Sequence, residues 1–137
     1  MQPIIVQTII NAPLAEVWSR WTQPEHITQW TFASDDWESP SATNDLRVGG
    51  VFTTRMQAKD GSFGFDFGGT YTAVEEPTHL AYDMSDGRHV DVRFEEADVD
   101  VRVTETFDPE TENAEEMQRA GWQAILDNFK KYVEQSQ

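Results

Sequence analysis

Apolar and polar residues alternate with two different periods along the chain. Ile4, Val6 and Ile9-Ile10 form a β-branched run that stops at Asn11-Ala12-Pro13, which reads as a first strand followed by a helix with proline at its first position. Leu14, Val17, Trp18 and Trp21 then fall at i, i+3, i+4 and i+7, one apolar stripe along that helix. Thr22-Gln23-Pro24-Glu25 has the form of a capping box, and predicts a second short helix with Ile27 and Trp30 as its buried positions.

From Phe32 to about Thr106 the period becomes two. It is interrupted at Ser39-Pro40-Ser41, Lys59-Asp60-Gly61, Glu76-Pro77 and Ser85-Asp86-Gly87, as in an antiparallel meander joined by turns. Phe52, Thr54 and Met56 share one face, as do Val90, Val92 and Phe94, and as do Val99, Val101 and Val103. Polar residues take the alternate positions, so one face of the sheet is predicted to be dry and the other wet. Gly49-Gly50 and Gly68-Gly69 stand at the start of one strand and inside another, where missing side chains permit a bulge or a sharp bend.

The last segment returns to helical period. Asn113 and Glu116 suit a helix start, Lys130 and Lys131 suit its negative end, and Met117, Gly121, Trp122, Ile125, Phe129 and Val133 follow one side. From about Ala114 to Glu134 such a helix spans roughly 30 Å, enough to cross a sheet. Gly121 inside it costs about 1 kcal/mol relative to alanine, and predicts close approach of a strand or a ligand to the backbone there.

Composition narrows the functional classes. The 137 residues suit one domain, 1–137, of α+β class. With 10 Lys and Arg against 25 Asp and Glu the formal charge is −15, a field that repels phosphate backbones and argues against nucleic-acid binding. No cysteine is present, which removes disulfides, thiolate nucleophiles and cysteine-held zinc. The three histidines, His26, His79 and His89, show no metal-ligand spacing. His89, Asp91 and Arg93 read instead as a solvated ladder on the wet face. No G-x-S-x-G elbow, P-loop or G-x-G-x-x-G turn occurs, and no cofactor is implied. The N-terminal residues lack a basic region, an apolar run and a small-residue cleavage site, and no apolar stretch is long enough to span a membrane, so a cytoplasmic protein is expected.

The order strand, two short helices, six-stranded meander, long helix is that of the helix-grip fold, a curved antiparallel sheet wrapped around its C-terminal helix. Residues 12–18 (Ala-Pro-Leu-Ala-Glu-Val-Trp), 21–25 (Trp-Thr-Gln-Pro-Glu), 47–52 (Arg-Val-Gly-Gly-Val-Phe) and above all 121–129 (Gly-Trp-Gln-Ala-Ile-Leu-Asp-Asn-Phe) resemble the START-like, or SRPBCC, superfamily. The branch they resemble is named after the C-terminal domain of the co-chaperone that activates the ninety-kilodalton heat-shock ATPase. The likeness runs from about Ile4 to Val133. The eukaryotic co-chaperone carries a further N-terminal domain for which these residues have no counterpart.

The resemblance implies an apolar cavity between sheet and C-terminal helix, used across the superfamily for hydrophobic small molecules and in some members for cyclase or hydrolase chemistry. Its expected lining is Phe52, Met56, Phe67, Tyr71, Tyr82 and Phe94 from the strands, closed by Trp122, Ile125 and Phe129 from the helix. The same side chains would equally fill a solid core. Glu105 shares the parity of Val99, Val101, Val103 and Phe107, so an unbroken strand aims its carboxylate at the dry side, where it could orient a ligand or act as a general base. A strand-end bulge, or pairing with Arg102, would make it structural. Ten carboxylates between Glu95 and Glu116, opposed only by Arg102, form either a docking surface for a chaperone or another basic protein, or a solvated face of the kind that high salt favours.

Overall fold

The computed structural model describes residues 2–135. Strand β1 (Ile4–Ile10) leads into helices α1 (Leu14–Thr22) and α2 (Pro24–Ile27). Two short strands follow, β2 (Trp37–Glu38) and β3 (Ala42–Asn44), and then five long ones: β4 (Val51–Ala58), β5 (Gly64–Glu75), β6 (His79–Met84), β7 (His89–Ala97) and β8 (Asp100–Phe107). Helix α3 (Glu115–Gln135) is the last element of the described residues. The strands among the described residues form one antiparallel sheet in the order β1-β8-β7-β6-β5-β4-β2, with β3 also paired to β4. This is the helix-grip arrangement expected above, except that the segment after α2 contributes two short strands. Both sit on the free edge of β4, Glu38 opposite Gln57 and Ala42 opposite Thr54.

Period two does place the dry face. Ile4, Val6 and Ile10 of β1, Val90, Val92 and Phe94 of β7, and Val101, Val103 and Phe107 of β8 are buried. Val99 is the exception. It is 80% exposed, because β7 and β8 turn through Asp98 and Val99, with Ala97 paired to Asp100 and Asp98 at φ 59°. The β4–β5 and β6–β7 turns instead use Gly61 (φ 79°) and Gly87 (φ 91°), the residue for which left-handed backbone is cheapest. Inside β5, a Cβ on Gly68 would lie 2.4 Å from the Phe52 carbonyl oxygen, so the glycine allows β4 and β5 to approach. The β5–β6 register shifts between Tyr71 and Ala73.

Two predicted caps take other forms. The Thr22 hydroxyl donates back to the Trp18 carbonyl at 2.8 Å, and α2 starts from Gln23 with no side-chain cap. Ahead of α3 the Glu110 carboxylate accepts the backbone N–H groups of the loop residues Glu112 (2.8 Å) and Asn113 (2.9 Å), and among the described residues neither the Asn113 nor the Glu116 side chain bonds a backbone N–H at the helix start. Lys130 and Lys131 lie before the last turn of a helix that runs to Gln135. Lys130 donates to the Ile9 carbonyl and pairs with Glu134 at 2.8 Å. The buried side of α3 is Leu126, Phe129 and Val133, with Trp122 and Ile125 partly covered and Met117 exposed. Gly121 is approached by nothing: a Cβ there would find no atom within 4 Å.

The core has an aromatic centre. Trp21 meets Trp30 (4.8 Å), Phe129 (4.9 Å) and Phe94 (5.6 Å) between ring centroids, and Trp18 meets Phe94 edge-on at 5.4 Å. Edge-to-face pairs at such distances add to the burial of the rings. This cluster fills the space where α1, α2 and the C-terminal half of α3 cover the sheet.

Candidate functional site

Where the N-terminal half of α3 covers the sheet, the interior is not filled. A cavity of about 450 Å³ lies among β4, β5, β6, β8, α2 and α3. Phe52 and Met56 of β4, Phe67 and Tyr71 of β5, Tyr82 of β6 and Glu105 of β8 face it, with Trp122 and Ile125 on the helix side. Phe94 and Phe129, predicted for the same wall, do not reach it: both are fully buried in the aromatic cluster with Trp21 and Trp30. Those two tryptophans present their own surfaces to the cavity, together with Ile27, Thr31 and Leu80. Parity and helical period point a side chain inward; they do not say which end of the interior α1 and α2 fill.

The rings form a connected wall. Phe52 is the hub, 4.7 Å from Tyr82, 5.2 Å from Tyr71 and 6.0 Å from Phe67. Trp122 is stacked flat on Phe107 at 3.9 Å with 10° between planes and stands edge-on to Phe67 at 6.1 Å. Thr54, also on the wall, is only 2% exposed.

Three polar side chains are sunk into this wall. The Tyr71 hydroxyl donates to Asn44 Oδ1 at 2.7 Å, and burial raises its pKa to about 12. Burial, and then the neighbouring Glu105, hold the Tyr82 proton well above the ordinary 10.0. Glu105 is 6% exposed, and its pKa is raised from 4.5 to about 8 by burial alone. Its neighbours across the strands are Val6 on β1 and Val92 on β7, which offer neither charge nor hydrogen bond. Arg102 does not reach it, lying exposed on the opposite face beside Glu95. Neither Tyr82 nor Glu105 has a hydrogen-bond partner among the described residues.

The outer end of the cavity is polar and acidic. Asp66, Asp86 and Glu110 stand there with Arg88, whose Nε is already held by Asp86 at 2.8 Å. Gln118 fixes the loop before α3, donating to the carbonyls of Glu110 (3.0 Å) and Asn113 (2.9 Å) and accepting from the Glu110 N–H (2.9 Å). Gln118 and Arg88 carried no periodic signal in the sequence.

Elsewhere, His79 is buried on the far face between Glu75 and Asp91, each at 2.6 Å, and Arg93 reaches the other oxygen of Asp91 at 3.2 Å. His89, exposed, pairs with Asp83 at 2.8 Å. No group of three or more His, Cys, Asp or Glu side chains placed to hold a metal ion occurs among the described residues, and no helix there is long and apolar enough to cross a membrane.

The fold has counterparts among solved structures. A solved AHSA1-like protein from Aeromonas hydrophila is 47% identical and superposes with a TM-score of 0.89 over 97% of this chain and 94% of that one. A protein from Cytophaga hutchinsonii is 45% identical, with a TM-score of 0.84 over 98% and 93%. One from Nitrosomonas europaea shares the fold at 21% identity, with a TM-score of 0.85 over 99% and 96%. Comparison with functionally curated proteins gave no match. Residues 11–134 match the family described as activator of Hsp90 ATPase homolog 1-like protein. The chain therefore belongs to that family, a branch of the helix-grip, START-like superfamily of ligand-binding folds.

Proposed function

We propose that this chain binds a hydrophobic small molecule between the curved sheet and α3. The observation that carries the reading is one cavity of about 450 Å³ that combines an aromatic wall with two polar groups, on Tyr82 and Glu105, that no protein atom satisfies. A space of this size and composition suits a drug-sized apolar ligand oriented by one or two polar contacts. Their polar atoms open onto the cavity, where a ligand can bond to them in place of water.

Thermal melts of the protein with a panel of aromatic and acyl compounds test this. A ligand present at about 100 times its Kd adds about 2.7 kcal/mol of stability. Trp122→Ala, which removes the largest side chain that α3 gives to the cavity, is expected to abolish the shift. No shift across a broad panel would overturn the reading.

Glu105 also supports acid/base catalysis in the same cavity, since a pKa near 8 lies close to neutral pH. Loss of turnover in a folded Glu105→Gln protein would identify that activity. The family description, with its reference to an ATPase activator, and the acid-rich stretch from Glu95 to Glu116 favour a second reading, docking to a basic chaperone surface. Salt-sensitive capture that disappears when Glu110, Glu112, Glu115 and Glu116 are reversed in charge would support it.

A further inference from the structure

Glu105 sits in a wall whose other members there are aromatic, aliphatic and hydroxyl side chains. A carboxyl there is costly to the fold and unnecessary for holding hydrocarbon, so its presence says something about the occupant. Its neighbours in the sheet are aliphatic and it has no bonding partner among the described residues, yet its side chain faces the cavity. The rings around the cavity, Phe52, Phe67, Tyr82 and Trp122, offer electron-rich faces that attract cations. At the outer end Asp66, Asp86 and Glu110 outnumber Arg88, whose guanidinium is already engaged by Asp86. The net charge of −15 extends the same sign over the molecule. A fatty acid or other anion entering here would meet three carboxylates and one guanidinium, already paired with Asp86.

We propose that the cavity selects an apolar organic cation, an alkyl or arylalkyl amine, whose ammonium group pairs with Glu105 while its hydrocarbon body lies among the aromatic rings. This rests on the small-molecule reading above and adds the class of the ligand. A proton signature accompanies it. Burial keeps Glu105 protonated to about pH 8, whereas the ammonium partner requires the carboxylate. Binding near neutral pH therefore expels the carboxyl proton to solvent. The ammonium keeps its own proton throughout.

The groups that face Glu105 leave that proton as the one to move. Val6, Val92 and Trp122, on β1, β7 and α3, are uncharged. Tyr82 on β6 is the titratable neighbour coupled to it, and holds its own proton well above 10.0. Tyr71 on β5 holds its proton to about pH 12. Asp66, Asp86, Arg88 and Glu110 stand at the outer end.

Calorimetric titration of the full chain with phenylbutylamine, phenylbutanol and phenylbutyrate, in buffers of different ionisation enthalpy, tests the proposal. Near pH 7 the amine is expected to bind at least about tenfold more tightly than the alcohol, with the acid weakest. The amine alone releases close to one proton per site. Its affinity rises by up to about tenfold per pH unit below the Glu105 pKa and levels off above it. In Glu105→Gln the preference for the amine and the proton release both disappear. Alcohol binding equal to or tighter than amine binding in the wild type would overturn the cation while leaving the small-molecule reading intact. Proton release that survives in Glu105→Gln would likewise overturn the pairing. Failure of all three compounds to bind at millimolar concentration would overturn both.

Discussion

Glu105 occupies one rung of a ladder that is otherwise aliphatic, Val6 to Glu105 to Val92 to Leu80 across four strands. The sign of its effect on stability follows from its two pKa values. Unfolded, the carboxyl loses its proton near 4.5; folded, burial keeps it to about 8. Between those values the native state holds a proton that the unfolded state has released. This group therefore lowers stability as pH rises, by about 1.4 kcal/mol per unit, until the native carboxyl also ionises. Glu105→Gln removes the slope, and urea melts from about pH 5 to 9 are expected to show the variant gaining on the wild type by a few kcal/mol, then running parallel to it. A constant difference across that range would show the carboxyl to be ionised in the native state. Its inward aim was legible because period two runs unbroken from Val101 to Phe107. Val99 shares the parity and fails, because the turn at Asp98-Val99 uses none of the Gly or Asn that mark such turns. Phe94 and Phe129 were rightly read as interior, but whether an interior ring meets a cavity or another ring depends on how α1 and α2 pack, which periodicity does not encode.

The helix α3 does more than supply an apolar stripe. Arg119, Gln123 and Lys130 donate to the carbonyls of Ile5, Gln7 and Ile9, every second residue of β1, on the edge that no strand covers. Glu134 accepts the Asn11 N–H at 2.9 Å. The helix thus occupies hydrogen-bonding groups that an open strand edge would offer to another chain. Two glycines on either side of the cavity behave in opposite ways. At Gly121 an added methyl meets open space, so Gly121→Ala is expected to gain about 1 kcal/mol from helix propensity, read as a higher urea midpoint with unchanged slope. At Gly68 the same methyl would meet the Phe52 carbonyl at 2.4 Å. Gly68→Ala must push β4 from β5, at a cost of about 1–3 kcal/mol typical of overpacking, and a neutral result would mean that the strands separate freely. The sequence pattern located this helix within a residue or two but misread its glycine and both caps, since a cap depends on which nearby acceptor reaches the free N–H groups. Ahead of α3 the Glu110 carboxylate holds the loop N–H groups of Glu112 and Asn113, and among the described residues the side chain of the predicted Asn113 bonds none at the helix start.

At the scale of the whole molecule the surplus of acid governs. Six of the ten Lys and Arg side chains are spent on acids close to them in the sequence: Arg20 on Glu16, Arg47 on Asp45, Arg88 on Asp86, Arg93 on Asp91, Arg119 on Glu115 and Lys130 on Glu134. Pairs this local persist in part when the chain unfolds and, being largely exposed, contribute at most about 1 kcal/mol each. They leave Glu95, Glu96, Asp98, Glu112 and Glu116 exposed, with Glu110 turned inward onto its loop. Folding concentrates a formal charge of −15 on the surface of one small body, so repulsion is greater in the native state than in the expanded chain. Salt should then stabilise. Raising sodium chloride from about 10 mM to 1 M shortens the screening length from about 30 Å to about 3 Å, which removes long-range repulsion first and contact pairs last. The melting temperature is expected to climb steeply at low salt and flatten near physiological ionic strength. A melting temperature that falls over the first increments would show that the local ion pairs outweigh the surplus.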